Sequence, residues 1–342
     1  MNSPTRISPA RALHDNVSVP FERARAMPKS VYTTEEFVAL EQKHVFAKDW
    51  ICAGRAETLP NPGDYLTLTL AGEPVIVLRD RDGQVRAMSN VCRHRMSTLL
   101  EGRGHARSIV CPYHAWTYNL DGSLRGAPAM TLNEGFCKED MTLPKVRCEV
   151  WQGWIMVTLN PDAPAPDQAL EGIRALIPNL DMSTYTETYR ETFRWATNWK
   201  VLAENFMESY HLPMCHAGTI GGSSKLEEMF CPEGSDAFNY HWILKNDSVP
   251  LALAHPSNTT LQGDDRRKTW LLAIYPSLMI TLTPGYFWYL SLTPDGPGHV
   301  NVLFGMGMSA DWIADPDAAS HLAAVKALLD DVNVEDKGRS EE

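Results

Sequence analysis

The sequence predicts an α+β protein in two parts: an all-β domain, then a domain whose antiparallel sheet is closed by a long C-terminal helix. Three observations predict it. At 342 residues the chain is long enough for two domains, each with its own core. From about residue 50 to 160, short alternating apolar runs are separated by turns such as Asp82-Gly83. After the linker PDAPAPD (161–167), a series of strand patterns leads into one long helical pattern, DPDAASHLAAVKALLDDVNVED.

Taken in order, residues 1–30 are polar and Pro-containing and predict an arm over the surface. TTEEFVALEQKHVF predicts a helix over 33–46, with a Thr cap and acids in its first turn. DYLTLTL (64–70) and PVIVLRD (74–80) read as strands, and HAWTYNLDGSLRG as a hairpin turning on Leu120-Asp121-Gly122. WIMVTLN (154–160) closes the β domain. Beyond the linker the pattern predicts a helix over 168–180, a strand over 185–199, and a helix over 200–211 that ends near Pro213. Strands follow at 238–247, 269–275, 278–283, 287–293 and 299–308. A last helix spans 315–336, with Asp315 as cap and Pro316 at its first position. The domains divide as 1–45, an arm and helix packing on the second part; 46–160, the β domain; and 161–342, the domain beyond the linker. No internal repeat is present.

A net charge of −11 with no long basic run argues against a nucleic-acid surface. No apolar stretch reaches ~18 residues, so no membrane span is expected. The start has arginines like a transit peptide, but Asp15 and Glu22 interrupt it, and no apolar segment suits a secretory signal. Seven cysteines, odd in number and widely spread, do not suggest a disulfide framework. A reducing cytoplasm is the expected compartment, where patterned cysteines bind metal or do redox chemistry.

Two constellations carry chemistry. The first is Cys92-Arg93-His94, then sixteen residues, then Cys111-Pro112-Tyr113-His114. Two thiolates and two imidazoles could hold one tetrahedral zinc, or a two-iron, two-sulfide cluster with different ligands on each iron. Zinc fingers usually pair like ligands, whereas here each arm is mixed, so that one loop can reach both irons. Trp116 and Tyr118 would shield such a cluster. The second constellation is ESYHLPMCH (208–216). Its histidines are five apart, about 140° around a helix, unlike the four-residue spacing of helical zinc proteases. If the helix ends between them at Pro213, His211 and His216 could face one iron, and a carboxylate would complete a facial triad with open positions for O2.

The first pattern resembles the Rieske [2Fe–2S] domain. The segment Asn198-Trp199-Lys200 through Glu204-Asn205-Phe206 to His211 and His216 is similar to the catalytic segment of Rieske non-heme iron oxygenase α subunits, the aromatic-ring-hydroxylating dioxygenase family. Together the resemblance spans roughly residues 35 to 336. It implies a helix-grip catalytic domain, a cluster held by Cys92, Cys111, His94 and His114, and a mononuclear Fe(II) held by His211, His216 and an acid from the C-terminal helix. Asp336 is the choice for that acid, with Glu335 and Asp331 as rivals. Glu208, where most of the family has Asp, matches the acid that bridges to a neighbouring subunit's Rieske histidine. Glu208 and Asn205 are the catalytic candidates. The chain stops at Glu342, six residues after Asp336, which suggests a truncated C-terminus, a frayed last turn and a weakly held Asp336.

The resemblance further implies a reductase, with or without a ferredoxin, that passes NAD(P)H electrons to the cluster, and O2 and a small substrate as reactants. It also implies a head-to-tail homotrimer, with or without a β subunit. An aromatic substrate is the first expectation. The alternative is a quaternary ammonium compound, held by an aromatic box. Candidate walls are Phe206, Met207, Leu212, Trp242, Tyr275, Tyr286, Phe287 and Trp288; alternation allows at most two of residues 286–289 to point inward. The run Ala217–Gly222 reads as a loop near the iron rather than a nucleotide site. A cluster-bearing electron-transfer or ligand-binding protein without oxygenase activity, and a zinc-binding structural protein, remain as other classes.

Overall fold

The structure is a computed structural model that describes residues 7–221, 229–245 and 252–340. The chain opens with α1 (Pro9–Val17), α2 (Ser30–Thr33) and α3 (Glu35–Glu41), which continues into a wider turn over Gln42–Phe46. The helix expected over 33–46 is therefore interrupted at Thr34. The Thr34 hydroxyl accepts from Phe37 N and restarts the helix, with Glu35 and Glu36 in its first turn.

The first sheets comprise β1 (Ile51–Arg55), β2 (Asp64–Leu70), β3 (Glu73–Arg79), β4 (Val85–Ser89), β5 (Arg103–His105), β6 (Ile109–Val110), β7 (Thr117–Tyr118), β8 (Leu124–Gly126), β9 (Lys145–Trp151) and β10 (Trp154–Thr158). A seven-stranded sheet has the order β1-β10-β9-β4-β3-β2-β5, and β6-β7-β8 form a separate three-stranded sheet. The expected hairpin is the β7–β8 turn, where Gly122 takes φ +88.

In the second part, the helix expected over 168–180 is two shorter ones, α4 (Pro166–Ala169) and α5 (Glu171–Leu176). Then come β11 (Thr186–Trp195), α6 (Trp199–Met207), α7 (Leu212–Cys215), β12 (Met229–Phe230), β13 (Phe238–Leu244), β14 (Lys268–Ile274), β15 (Leu278–Leu282), β16 (Tyr286–Pro294), β17 (Val300–Met308), α8 (Ala310–Ile313) and α9 (Ala318–Ser340). The strands form a second seven-stranded sheet, β11-β17-β16-β15-β14-β13-β12, and every pairing in it is antiparallel. Gly222 and the last two residues of the strand expected over 238–247 lie outside the described residues.

Two helix boundaries differ from expectation in ways that bear on the site. α6 ends at Met207, before either histidine, and Pro213 lies in the first turn of α7, where its missing N–H costs nothing. Pro213 thus starts a helix rather than ending one. α9 begins later than expected and continues past Asp336 to Ser340, so Asp336 sits on a formed helical turn instead of a frayed one. Asp315 precedes the helix and accepts from Asp317 N.

The two sheets share a packed seam. Arg55 is fully buried on β1 and crosses it: its guanidinium donates to the carbonyls of Gln152, Met182 and Tyr185 and lies over the rings of Trp154 and Phe287. Gly153 makes room for it, since a Cβ there would meet the guanidinium at 2.5 Å. Ser291 on β16 donates to Cys52 O on β1 at 2.8 Å. The N-terminal helices grip α6. Lys200 pairs with buried Glu41 at 2.8 Å, and Tyr32 OH donates to Glu204. Asn198 caps α6 through Lys200 N while its amide donates to Tyr32 O and Pro297 O. Among the described residues no helix is long and apolar enough to cross a membrane.

Candidate metal centres

Cys92 and Cys111 begin two loops of the same construction. In each, the cysteine carbonyl accepts from the residue four later (Met96 N, Ala115 N), and the cysteine N–H donates to the carbonyl five later (Ser97 O, Trp116 O). Met96 and Ala115 both adopt left-handed backbone, φ 55 and φ 57, with no glycine to announce it. The twin turns bring His94 and His114 together, with ring centroids 4.7 Å apart. Trp116 stacks on His94 at 4.8 Å, and Tyr118 OH lies 3.4 Å from the Cys92 sulfur, so the expected aromatic shield packs against the donors from within. Leu99, Ile109, Leu120 and Leu143 form a small core beneath the loops.

The donors suit a cluster on their own evidence. Cys92 and Cys111 are buried free thiols. Burial raises the Cys111 thiol, but hydrogen bonds from the N–H groups of Tyr113 and His114 and from the side chains of Cys92 and Ser97 together outweigh it and lower its pKa. His94 Nδ1 is buried without a hydrogen-bond partner, which suits an imidazole nitrogen that binds a metal. Among the described residues, only His211, His216 and Asp336 place three donor atoms mutually within 4.8 Å.

The second centre assembles from α6–α7 and α9. Asp336 Oδ1 lies 3.0 Å from His216 Nε2 and 3.8 Å from His211 Nε2. Donors about 2.1 Å from one cation and at right angles would be about 3 Å apart, so Asp336 and His216 stand as neighbouring ligands of one ion would, with His211 set wider. Each imidazole is held from behind by a carboxylate. Glu208 Oε1 takes His211 Nδ1 at 2.6 Å, and Glu335 Oε2 takes His216 Nδ1 at 2.7 Å. An ionised carboxylate only accepts, so each Nδ1 carries the proton and each Nε2 turns its lone pair inward. Glu208 Oε2 also caps the turn, accepting from Tyr210 N at 2.6 Å and His211 N at 3.2 Å. Thr219 donates to Glu335 at 2.7 Å, and Asn205 donates to Asp336 at 3.1 Å. Burial alone would lower the His216 pKa; Asp336 and Glu335 outweigh it, so His216 binds a proton more tightly than an ordinary histidine when no cation is present. The rival Glu335 is thus engaged with His216, and Asp331 is not part of the grouping.

A cavity of about 890 Å³, including its open mouth, adjoins this centre. Phe206, Leu212, Tyr286 and Trp288 line it, as expected, with Trp195 and Leu290. Phe287 points the opposite way into the seam, Trp242 stacks on Phe230, and Met207 and Tyr275 line a separate groove behind α6. α9 adds Leu328, Leu329 and Val332 to the cavity that ends at Asp336. Their helical spacing up to Asp336 is the sequence signal that would have found them. Two contacts had no sequence signal at all: Glu335 behind His216, and Thr219 behind Glu335.

Comparison with known proteins places these centres in context. Residues 49–138 match the family model of the Rieske [2Fe-2S] domain, and residues 182–342 match that of the ring hydroxylating alpha subunit (catalytic domain). The carnitine monooxygenase oxygenase subunit of Acinetobacter baumannii is 35% identical over 205 residues, covering 57% of this chain and 53% of that protein. The glycine betaine monooxygenase oxygenase subunit of Pseudomonas aeruginosa is 31% identical over 233 residues, covering 68% of this chain and 54% of that protein. The matches thus span about half the length of these curated relatives. The crystal structure of CntA, a quaternary ammonium Rieske monooxygenase, superposes with a TM-score of 0.80 at 24% identity, over 93% of this chain and 84% of that one.

Proposed function

The chain belongs to the Rieske oxygenase α subunits, which carry a [2Fe–2S] cluster and a mononuclear iron, and on that premise we propose that it is the oxygenase component of a monooxygenase acting on a quaternary ammonium compound. The observation that carries the oxygenase reading is the convergence of His211, His216 and Asp336 beside an apolar cavity. In this reading the arm 1–45 steadies α6, 46–160 is the cluster domain, and 161–342 is the catalytic domain.

Cys92, Cys111, His94 and His114 would hold the cluster, and His211, His216 and Asp336 the iron. When bound, these groups supply single electrons and the activation of O2. The chain's own residues set the conditions. Glu208 and Glu335 keep the protons on Nδ1 and the lone pairs of His211 and His216 aimed at one point. Asn205 orients the Asp336 carboxylate. Leu328, Leu329, Val332 and Leu290 keep the cavity apolar and limit water. The balanced reaction inserts one oxygen atom of O2 into a substrate C–H bond and releases the other as water, consuming two electrons and two protons. A separate reductase, with or without a ferredoxin, supplies the electrons.

Two observations favour the quaternary ammonium alternative over the aromatic substrate expected first. The named relatives act on carnitine and glycine betaine. Trp195, Phe206, Tyr286 and Trp288 also give the cavity several ring faces for an alkylammonium head. A head-to-tail trimer, with or without a β subunit, is supported by two exposed patches. Met96 and Tyr113 stand out beside the cluster loops, and Tyr210 and Met214 beside Glu208. Docking one patch on the other would bring a neighbour's cluster histidine to Glu208. Seven free cysteines suit a cytoplasmic setting.

The test is oxygen uptake by the reconstituted protein with a reductase, across L-carnitine, glycine betaine, choline and naphthalene. Substrate-dependent uptake with the ammonium compounds alone is expected. Uptake with naphthalene alone returns the assignment to aromatic substrates, and no substrate-dependent uptake sinks the oxygenase reading.

A further inference from the structure

His241 lies outside the acid–histidine motif but directly against it. It is on β13, in register with Leu271 of β14, and the next residue on the same face, Ile243, lines the cavity together with Leu271. Its Nε2 is 2.8 Å from Ser209 Oγ, and both residues are buried, with 1% and 7% of their surfaces exposed. Burial lowers its pKa to about 4 against the opposing field of Glu208, so the ring is neutral near pH 7. A neutral, buried imidazole filling space would be replaced without loss by an apolar side chain. A serine–imidazole bond in that place has a second consequence, because it fixes where Ser209 sits.

Ser209 is in the turn that matters. α6 ends at Met207, Glu208 is extended (φ −111, ψ 139), and His211 is helical again (φ −74, ψ −23). Glu208 and Tyr210 on either side of Ser209 are exposed. The Ser209–His241 bond therefore ties the middle of this turn to the sheet, while its neighbours face out.

We propose that His241 is a positioning residue for the mononuclear centre: through Ser209 it sets the turn that aims His211 at the metal and leaves Glu208 facing outward. The inference rests on the metal-centre reading above. The test uses the full chain with its cluster, with Co(II) in the mononuclear site, and the variants Ser209→Ala, His241→Leu and His241→Gln. S209A and H241L are expected to weaken Co(II) binding about tenfold or more and to shift its visible ligand-field bands. With iron they lower kcat by a similar factor and leave KM unchanged. H241Q returns a polar atom near the Nε2 position and recovers most of the loss. The EPR signal of the reduced cluster stays the same in all three, which reports an intact fold. Wild-type Co(II) affinity and bands in S209A and H241L overturn the proposal. So does a loss in H241L that S209A does not share and H241Q does not recover, because that is a packing defect. A wild-type protein that binds no Co(II) overturns the metal-centre reading, and the inference with it.

Discussion

The twin loops and the triad both present metal donors, but they are built by opposite means. Each loop closes on itself within six residues through two backbone hydrogen bonds, 92 to 97 and 111 to 116, and rests on a small core of its own. The triad joins His211 and His216, which flank the short helix α7, to Asp336 on α9, and each donor is aimed by another side chain. A site made of local backbone geometry tolerates change at a distance; one made of converging side chains does not.

The sharpest break of this comparison is to remove one donor from each. Asp336→Ala is expected to abolish turnover and mononuclear metal binding while the cluster absorption and its EPR signal persist. Cys111→Ser is expected to do the reverse, losing acid-labile sulfide but keeping Co(II) at the triad. Loss of both metals in either variant would show that the centres are not independent. Next in size, Arg55→Met removes the buried guanidinium that crosses the seam and leaves three carbonyls unpaired, which should cost about 3 kcal/mol in urea unfolding. A loss that spares the second sheet would contradict a shared seam.

Smaller effects sharpen the contrast. Glu335→Gln keeps the shape but weakens the hold on His216 Nδ1, and should lower Co(II) affinity by roughly 10- to 100-fold with no change at the cluster. Of similar size is a pH effect. The folded pKa of His241, about 4, lies below the ordinary 6.5, so the unfolded chain binds the extra proton first as pH falls. Stability from this group is present above pH 6.5 and is lost toward pH 4. The stability difference between wild type and H241L should therefore change by roughly 2 kcal/mol between pH 6.5 and 5. A constant difference across that range would mean that His241 is not held neutral.

The same contrast explains what was legible in the sequence. The proposed cluster donors are close in sequence and their pattern is long, so Cys92, His94, Cys111 and His114 could be singled out from the sequence. Met96 and Ala115 could not, because nothing in their identity demands left-handed backbone. At the triad, spacing singled out His211 and His216, but the role of Pro213 was inverted. A proline after a helical pattern marks a boundary without saying which helix it belongs to. Asp336 and Glu335 are adjacent acids that sequence could only rank; the helix phase, which turns one to the cavity and the other to His216 Nδ1, separates them. Along β16 the period of two was enough to foresee that Tyr286 and Trp288 face one way and Phe287 and Tyr289 the other.

That alternation makes β16 a partition between two separately adjustable properties. Tyr286, Trp288 and Leu290 meet whatever enters the cavity, whereas Phe287, Tyr289 and Ser291 meet Trp154, Glu187 and Cys52 in the seam. A drift in substrate preference can be written on the even positions of one strand while the odd positions keep the two halves locked. Library designs for new substrates can vary 286, 288 and 290 together and leave the intervening residues alone.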